Sequence, residues 1–177
     1  MTVMPPDRLL LDRAPTPIGE ALLVTDAAGR LRALDWSDYE PRLRRLLRRH
    51  YGALPLSVGR APESIRRALD RYFADDLDAL DAIPCATGGT DFQRTVWAAL
   101  RTIPAGRTLS YGALAAQIGA PKAVRAVGLA NGANPIGVVV PCHRVIGADG
   151  SLTGYGGGLE RKSWLLAHEG ASLRTAA

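Results

Sequence analysis

The stretch "SYGALAAQIGAPKAVRAVGLANGANP", residues 110–135, decides the fold of the second half of the chain. Ser110 precedes a short apolar run that Gly119 ends, and Pro121 stands near the start of a second run that fades into Gly and Asn. Serine is a preferred residue before a helix, and glycine commonly ends one. Two short helices joined by a tight turn that contains glycine are typical of a helix-turn-helix. Most short helix pairs do not touch DNA, so the pattern alone leaves a purely structural role open.

The second helix of this pair has the composition expected of a helix that enters a groove. Lys122 and Arg125 are basic, and their neighbours are Ala, Val and Gly. We expect the outward face to lack bulky apolar side chains, because a groove has no room for them. Taken alone, Arg125 could equally be a surface arginine that binds phosphate.

Residues 16–36 are typical of short strands joined by turns, with Gly29 at a hairpin turn. Residues 40–52 and 61–80 predict two amphipathic helices, because apolar side chains recur at helical spacing. Another helix is expected to begin at Thr90 or Asp91. The fold class is therefore α+β.

Proline and paired glycines in residues 81–90 indicate a boundary between two parts of the chain. We predict a small N-terminal α/β domain with its linker over residues 1–86. A C-terminal helix-turn-helix domain is predicted over residues 87–177.

The charge of the chain favours an anionic partner. The formal net charge is +5, and nucleic acid is the usual partner of a basic domain. Much of this charge is attributed to the arginines of residues 41–50, for which a solvated helix face is the simpler explanation.

No apolar run is long enough to cross a bilayer, and the N-terminus lacks the features of a signal peptide, so a cytoplasmic location is expected. The chain has two cysteines, Cys85 and Cys142, in unlike settings, and both are interpreted as free thiols. No paired Cys/His cluster suggests a metal site.

The segment "VVVPCHRVIG", residues 138–147, contains the candidate nucleophile. Its valines predict a strand that ends at Pro141, because proline has no N–H for the ladder. Cys142 could be a small buried hydrophobe, as most lone cysteines are. The adjacent His143 instead indicates a cleft where an imidazole takes the thiol proton, and Glu169 could orient that imidazole. Neighbours on a strand face opposite ways, so contact between Cys142 and His143 requires a turn or a bridging water, and we favour the water.

The motifs together resemble the O6-alkylguanine-DNA alkyltransferases, also called methylated-DNA–protein-cysteine methyltransferases. The likeness includes residues 110–135, "VPCHRVIGADGSLTGYGGG" and "RKSWLLAHEG" in the family's order and spacing, within residues 90–170. It implies a ribonuclease-H-like N-terminal domain and a winged helix-turn-helix-like C-terminal domain that binds DNA and carries the catalytic site.

The resemblance also implies a reaction that each molecule performs once. Cys142 matches the residue that takes the alkyl group from O6 of guanine, without a cofactor or metal. His143 matches the histidine that deprotonates it through a water, and Glu169 the carboxylate that orients this histidine. Asn134 matches the asparagine that ties the recognition helix to the active-site turn.

The implied partner is double-stranded DNA, bound in its minor groove with the damaged base flipped out. Arg125 matches the residue that enters the vacated stack, and Tyr111 the tyrosine that crowds the 3′ phosphate and then meets the base. The small residues expected in the narrow groove are Ala123, Ala126, Val127 and Gly128. The resemblance implies a protein that is mostly monomeric, and cooperative assembly on DNA and repair of O4-alkylthymine stay open.

The loop of residues 153–158 is expected to form a wall of the base pocket. Tyr155 matches an aromatic residue of that loop, and backbone groups near Val145 and Gly156 would hydrogen-bond the guanine. Some relatives carry serine at Gly156, which bears on the range of bulky lesions accepted. Cys85 has no partners for the zinc site of some relatives and is interpreted as a bystander.

Three alternatives compete with alkyl transfer. A non-catalytic lesion-binding relative would lack Cys142. A helix-turn-helix regulator would bind DNA without alkyl transfer, with residues 141–144 structural. An unrelated Cys–His hydrolase would not need Tyr111 and Arg125 on a helix pair.

Overall fold

A computed structural model describes residues 4–173 and confirms a mixed α and β chain. It forms two compact units that divide between Gly89 and Thr90. The helices and strands of the first unit are β1 Leu9–Thr16, β2 Gly19–Asp26, β3 Leu31–Trp36, α1 Glu40–Tyr51, β4 Leu56–Val58 and α2 Glu63–Phe73.

The first unit is built on a four-stranded sheet in the order β3-β2-β1-β4. Strands β1, β2 and β3 are antiparallel neighbours, whereas β4 runs parallel to β1. Gly29 has a φ of +76° in the turn between β2 and β3, as the sequence predicts. Leucines of α1 pack on one face of the sheet, because Leu43 and Leu47 fall one helical turn apart.

Helix α1 ends as predicted, with Gly52 at a φ of +69°. The prediction of a helix over residues 61–80 is wrong in its length, because α2 ends at Phe73. Asp75 takes a φ of +72°, and the Asp76 N–H donates to the Arg71 carbonyl at 2.9 Å. This left-handed cap satisfies the last carbonyls and stops the helix without a glycine.

The second unit contains four helices and a short parallel strand pair among its described residues. They are α3 Asp91–Leu100, β5 Leu109–Ser110, α4 Tyr111–Gln117, α5 Val124–Gly132, β6 Val145–Ile146 and α6 Leu159–His168. Thr90 and Gln93 form a capping box at the start of α3. The Trp97 indole N–H donates to the Ala130 carbonyl at 2.8 Å, which ties α3 to α5.

Two sequence predictions in this unit are wrong. Residues 138–140 are a buried turn and not a strand: Val138 has a φ of +66°, and the Val140 N–H donates to the Ile136 carbonyl at 3.0 Å. A short apolar run has no periodicity that separates a strand from a buried turn.

Lys122 lies in the turn before α5 and not on that helix, because the Ala123 N–H closes a turn onto Ala120.

The two units differ in charge, which corrects the attribution of the net charge to residues 41–50. Residues 1–89 hold thirteen arginines and thirteen acidic side chains, so their formal charges cancel. Residues 90–177 hold nine basic and four acidic side chains and carry the whole net charge of +5. Within residues 4–173, no helix combines the length and apolar character required to cross a membrane.

Candidate active site

Cys142 lies in a single helical turn, Cys142–Arg144, directly after Pro141. The Arg144 N–H donates to the Pro141 carbonyl at 3.0 Å and closes that turn. Cys142 is buried, with 6% of its surface exposed, and His143 is completely buried. The turn replaces the strand geometry that we expected here, and the bridging water stays a prediction.

A buried network of charged side chains surrounds the Glu169 carboxylate at the end of α6. His143 Nε2 lies 2.9 Å from Glu169 Oε1. The Arg144 guanidinium donates to both carboxylate oxygens, at 2.9 and 2.8 Å, and its third contact is the Ile103 carbonyl at 2.5 Å. Glu169 is therefore held by the two residues that follow the cysteine. The sequence indicates the pairing with His143 but gives no signal for the arginine.

The protonation states follow from burial. Burial disfavours the imidazolium and lowers the pKa of His143, an effect that the Glu169 charge opposes only in part. Burial alone would raise the pKa of Glu169, but His143 and Arg144 outweigh it and hold that pKa well below its ordinary value. At neutral pH the imidazole is thus neutral and the carboxylate is charged. The Nε2–H of the neutral His143 imidazole then donates to Glu169, which leaves Nδ1 as an acceptor. Nδ1 is buried and has no partner among residues 4–173.

Two asparagines connect the end of α5 to the turn that contains the cysteine. Asn134 donates from Nδ2 to the Val140 carbonyl at 2.8 Å, and its Oδ1 accepts from the Ile136 N–H at 3.0 Å. Asn131, which the sequence reasoning missed, donates to the Cys142 carbonyl at 3.4 Å. The sequence signal that could have identified Asn131 is an amide side chain on the buried face of α5.

Lys162 on α6 is a second residue that the sequence reasoning missed. It is fully buried, and its Nζ donates to the carbonyls of Val145 at 2.7 Å and Thr153 at 2.8 Å. The signal is its position: Lys162 shares the buried stripe of α6 with Leu165, Leu166 and Glu169. Burial lowers the pKa of Lys162 to about 8, although negative charge on Cys142 opposes that shift.

Lys162 also changes the interpretation of the residues predicted to line a base pocket. Val145 is buried in β6, and its carbonyl already accepts a hydrogen bond from Lys162. Tyr111, the first residue of α4, donates from its hydroxyl to the Thr153 carbonyl at 3.1 Å. Tyr155 and Gly156 follow in the same loop and are half-buried. The structure thus joins Tyr111 to the loop, while contacts of Val145 and Gly156 with a base stay predictions.

Helix α5 divides into a buried and an exposed face. Val127 is completely buried, so its expected place on the outward face is wrong. Arg125 and Ala126 are exposed, whereas Ala123 and Gly128 are half-buried. The expectation that no bulky apolar group faces outward is also wrong, because Leu129 is 71% exposed.

Comparison of the sequence with known proteins gives one family. A family model described as "6-O-methylguanine DNA methyltransferase, DNA binding domain" matches residues 91–171. A methylated-DNA–protein-cysteine methyltransferase of Salmonella typhimurium is 53% identical over 169 residues, which cover 94% of this chain and 98% of that protein. One from Mycolicibacterium paratuberculosis is 63% identical over 109 residues, or 59% of this chain and 66% of the relative.

Solved structures show the same likeness over the length of the chain. The Mycobacterium tuberculosis OGT, determined in complex with DNA, has a TM-score of 0.75 and 42% identity, and the match covers 96% of each chain. The O6-methylguanine-DNA methyltransferase of Pyrococcus kodakaraensis strain KOD1 has a TM-score of 0.73 at 25% identity, over 92% of this chain and 99% of the other.

Fold and site together define a mixed α and β protein whose buried thiol lies beside a His–Glu–Arg network. The chain belongs to the methylated-DNA–protein-cysteine methyltransferase family.

Proposed function

We propose that this protein repairs DNA by moving the alkyl group of an O6-alkylguanine onto Sγ of Cys142. The new S–C bond forms as the O6–C bond breaks, and guanine leaves with O6 as a carbonyl oxygen and takes up one proton at N1, which balances the proton that the Cys142 thiol gives up. The thioether is permanent, so each molecule acts once. The observation that carries the proposal is the buried His143–Glu169–Arg144 network directly after the cysteine, in a chain of this family.

His143 has the state that a base requires. Its neutral Nδ1 can accept the thiol proton through a water, and the imidazolium that results lies 2.9 Å from a carboxylate. Arg144 holds Glu169 in place and in its charged form. We infer that Cys142 reacts as a thiolate produced by this relay.

Negative charge develops on the departing guanine and must be met by donors. Tyr111 is the proposed donor to the base, since its hydroxyl lies at the loop of residues 153–158 and can exchange its hydrogen bond to the Thr153 carbonyl for one to the base. Backbone groups near Val145 and Gly156, with the Tyr155 ring, are proposed to complete the pocket. Asn134 is proposed to position the cysteine turn through Val140.

The proposed partner is double-stranded DNA, bound by α4 and α5 as a helix-turn-helix. These helices carry Arg125 and Ala126 on the exposed face, and the unit that contains them holds all of the net charge. Arg125 is proposed to enter the stack after the damaged base is flipped out in the minor groove. We propose a monomer as the active form, and O4-alkylthymine as a second substrate.

The finer fold assignments are proposals too. A sheet of three antiparallel strands with a fourth parallel to the first supports a ribonuclease-H-like domain over residues 1–86. The helix pair supports a winged helix-turn-helix-like domain over residues 87–177. A cytoplasmic location stays a prediction.

The test is the mass of the intact protein after incubation with a duplex that contains one O6-methylguanine. The expected result is the gain of one methyl group on the Cys142 peptide, with no further gain on longer incubation. Cys142→Ala should bind DNA without any gain, and Cys85→Ala is the matched control that should react normally. No transfer by folded wild-type protein that still binds DNA would favour a non-catalytic regulator instead.

A second variant tests the assignment of the duplex contact. Arg125→Ala should slow repair in duplex DNA far more than reaction with free O6-benzylguanine, because a free base needs no extrusion. Equal losses on both substrates would contradict the role proposed for Arg125.

A further inference from the structure

Leu129 is an exposed leucine on α5, the helix proposed to contact DNA. It is 71% exposed, whereas Leu114 on the preceding helix is completely buried. A single exposed leucine is common on protein surfaces and needs no explanation by itself. The position of Leu129 on its helix, however, requires an explanation.

Helical geometry places Leu129 beside Arg125. The two are four residues apart, so their side chains are neighbours on one face of the helix. The buried residues of α5 are Val127, Ala130 and Asn131, and they lie on the opposite side. The leucine therefore shares the most outward face of α5 with its arginine.

The neighbours of Leu129 allow close approach to another molecule. Gly132 is exposed, and a side chain added there would meet nothing within 4 Å. Gly128 is half-buried, and an added Cβ would lie 3.8 Å from the Tyr111 ring. With glycines on both sides, Leu129 projects beyond the surface around it, as a wedge-shaped contact residue does.

The charge around Leu129 indicates which kind of molecule binds this face of α5. Arg125 has no ion-pair partner among the residues that the structure describes, and Lys122 precedes it in the exposed turn. Residues 90–177 carry the entire net charge of +5. A second copy of the chain would bring the same positive charge to this face, whereas a nucleic acid duplex complements it.

We propose that Leu129 is a second contact residue for duplex DNA, which packs against the apolar deoxyribose edges of the minor groove next to the site that Arg125 enters. Proteins that bind this groove commonly place apolar side chains, leucine among them, in it, and such a contact is independent of phosphate charge. The inference rests on the proposed function and extends it to a residue outside the implied catalytic and binding set.

The experiment measures affinity for an undamaged duplex over a range of salt concentrations. Leu129→Ala should weaken binding about tenfold, since the variant no longer has the apolar surface that most of the leucine side chain buries against DNA in the wild type. The loss should be the same factor at every salt concentration, which leaves the slope of log K against log salt unchanged. Removing a positive charge from the exposed turn of the same region, as in Lys122→Ala, should instead reduce that slope by up to about 0.9, the value of one phosphate contact.

Two further variants separate a specific contact from a general apolar effect. Leu129→Met keeps a large apolar side chain of similar volume and should restore most of the affinity. Leu159→Ala removes a leucine that is 49% exposed on α6 and should leave binding unchanged. Alanine is the best helix former, so Leu129→Ala should unfold at the wild-type temperature.

Wild-type affinity in Leu129→Ala overturns the inference, as does an equal loss in Leu159→Ala. A third outcome would also overturn the inference. If the wild type self-associates, Leu129→Ala abolishes that self-association, and the DNA affinity of dilute protein is unchanged, Leu129 belongs to an interface between copies of the chain. Binding to undamaged duplex requires no alkyl transfer, whereas reaction with free O6-benzylguanine requires no duplex. Failure of the free base to react would count against the proposed function, and the duplex series would still decide the role of Leu129.

Discussion

Replacing Lys162 by methionine should change how the stability of the protein depends on pH. Methionine keeps the length and the apolar stem of lysine but removes the charge and the donors. In the folded protein the pKa of Lys162 is lowered from its ordinary value of 10.5 to about 8, chiefly by burial. The unfolded chain therefore binds the proton more tightly than the folded chain does.

The direction and the size of the pH effect on stability follow from this difference in pKa between the folded and the unfolded chain. Between pH 8 and 10.5 the unfolded state holds more protons, so the lysine makes the folded state more stable as pH rises through this window. Below pH 8 both states are protonated, and the charge destabilises the folded state by about 3 kcal/mol. From pH 7 to pH 10, the lysine should therefore contribute a gain of about 2–3 kcal/mol to the free energy of unfolding.

Lys162→Met should lack this gain. At pH 7 it loses the unfavourable charge, but the Val145 carbonyl loses its Lys162 donor and the Thr153 carbonyl keeps only the Tyr111 hydroxyl. Loss of the Val145 hydrogen bond costs about 1–3 kcal/mol, so the net change is small. At pH 10 the wild type should be clearly more stable. Lys122, the other lysine of the chain, is exposed, and Lys122→Met is the matched control.

The assay is urea unfolding of the three proteins at several pH values from 7 to 10, followed by circular dichroism. The difference between wild type and Lys162→Met should grow with pH, and the difference between wild type and Lys122→Met should stay constant. Parallel curves for Lys162→Met and wild type would refute the reasoning.

Three other changes have defined outcomes. Glu169→Gln removes the charge shared by His143 and Arg144 and should slow alkyl transfer about 10–100-fold in timed mass measurements, whereas Glu160→Gln on the exposed start of the same helix should not. Asn134→Ala leaves the Ile136 N–H without its acceptor and the Val140 carbonyl with only the Cys142 N–H as donor, and should lower the free energy of unfolding by about 2 kcal/mol; a loss below about 1 kcal/mol in urea titrations would contradict the bridging role. Thr90→Ala removes a capping box and should cost about 1 kcal/mol by the same titration, a loss that Thr90→Ser should largely avoid.

Local signals in the sequence predict the helices well. The apolar spacing of α1 and α3 and the caps at Gly52 and Thr90 are properties of neighbouring residues, and the structure has these helices where the pattern indicates. Residues 138–140 could not be assigned this way. They are buried, and Val138 takes a left-handed conformation that a β-branched residue rarely adopts, so neither apolar spacing nor residue preference indicates this turn.

The candidate site shows the same limit. The sequence places His143 next to Cys142 and suggests Glu169 as its partner, because residue types and family resemblance carry that information. The ion pair of Arg144 with Glu169, and the contact of Lys162 with Val145, join residues 25 and 17 positions apart. No periodicity records such pairs, and only the folded chain brings them together.

The shared Glu169 carboxylate has a consequence for how this protein can evolve. One negative charge serves two side chains at once, so losing any member leaves a charged or polar group buried without its counterpart. The effects of single replacements therefore do not add up. Any stepwise replacement of His143, Arg144 and Glu169 therefore passes through an intermediate in which a buried group has lost its counterpart.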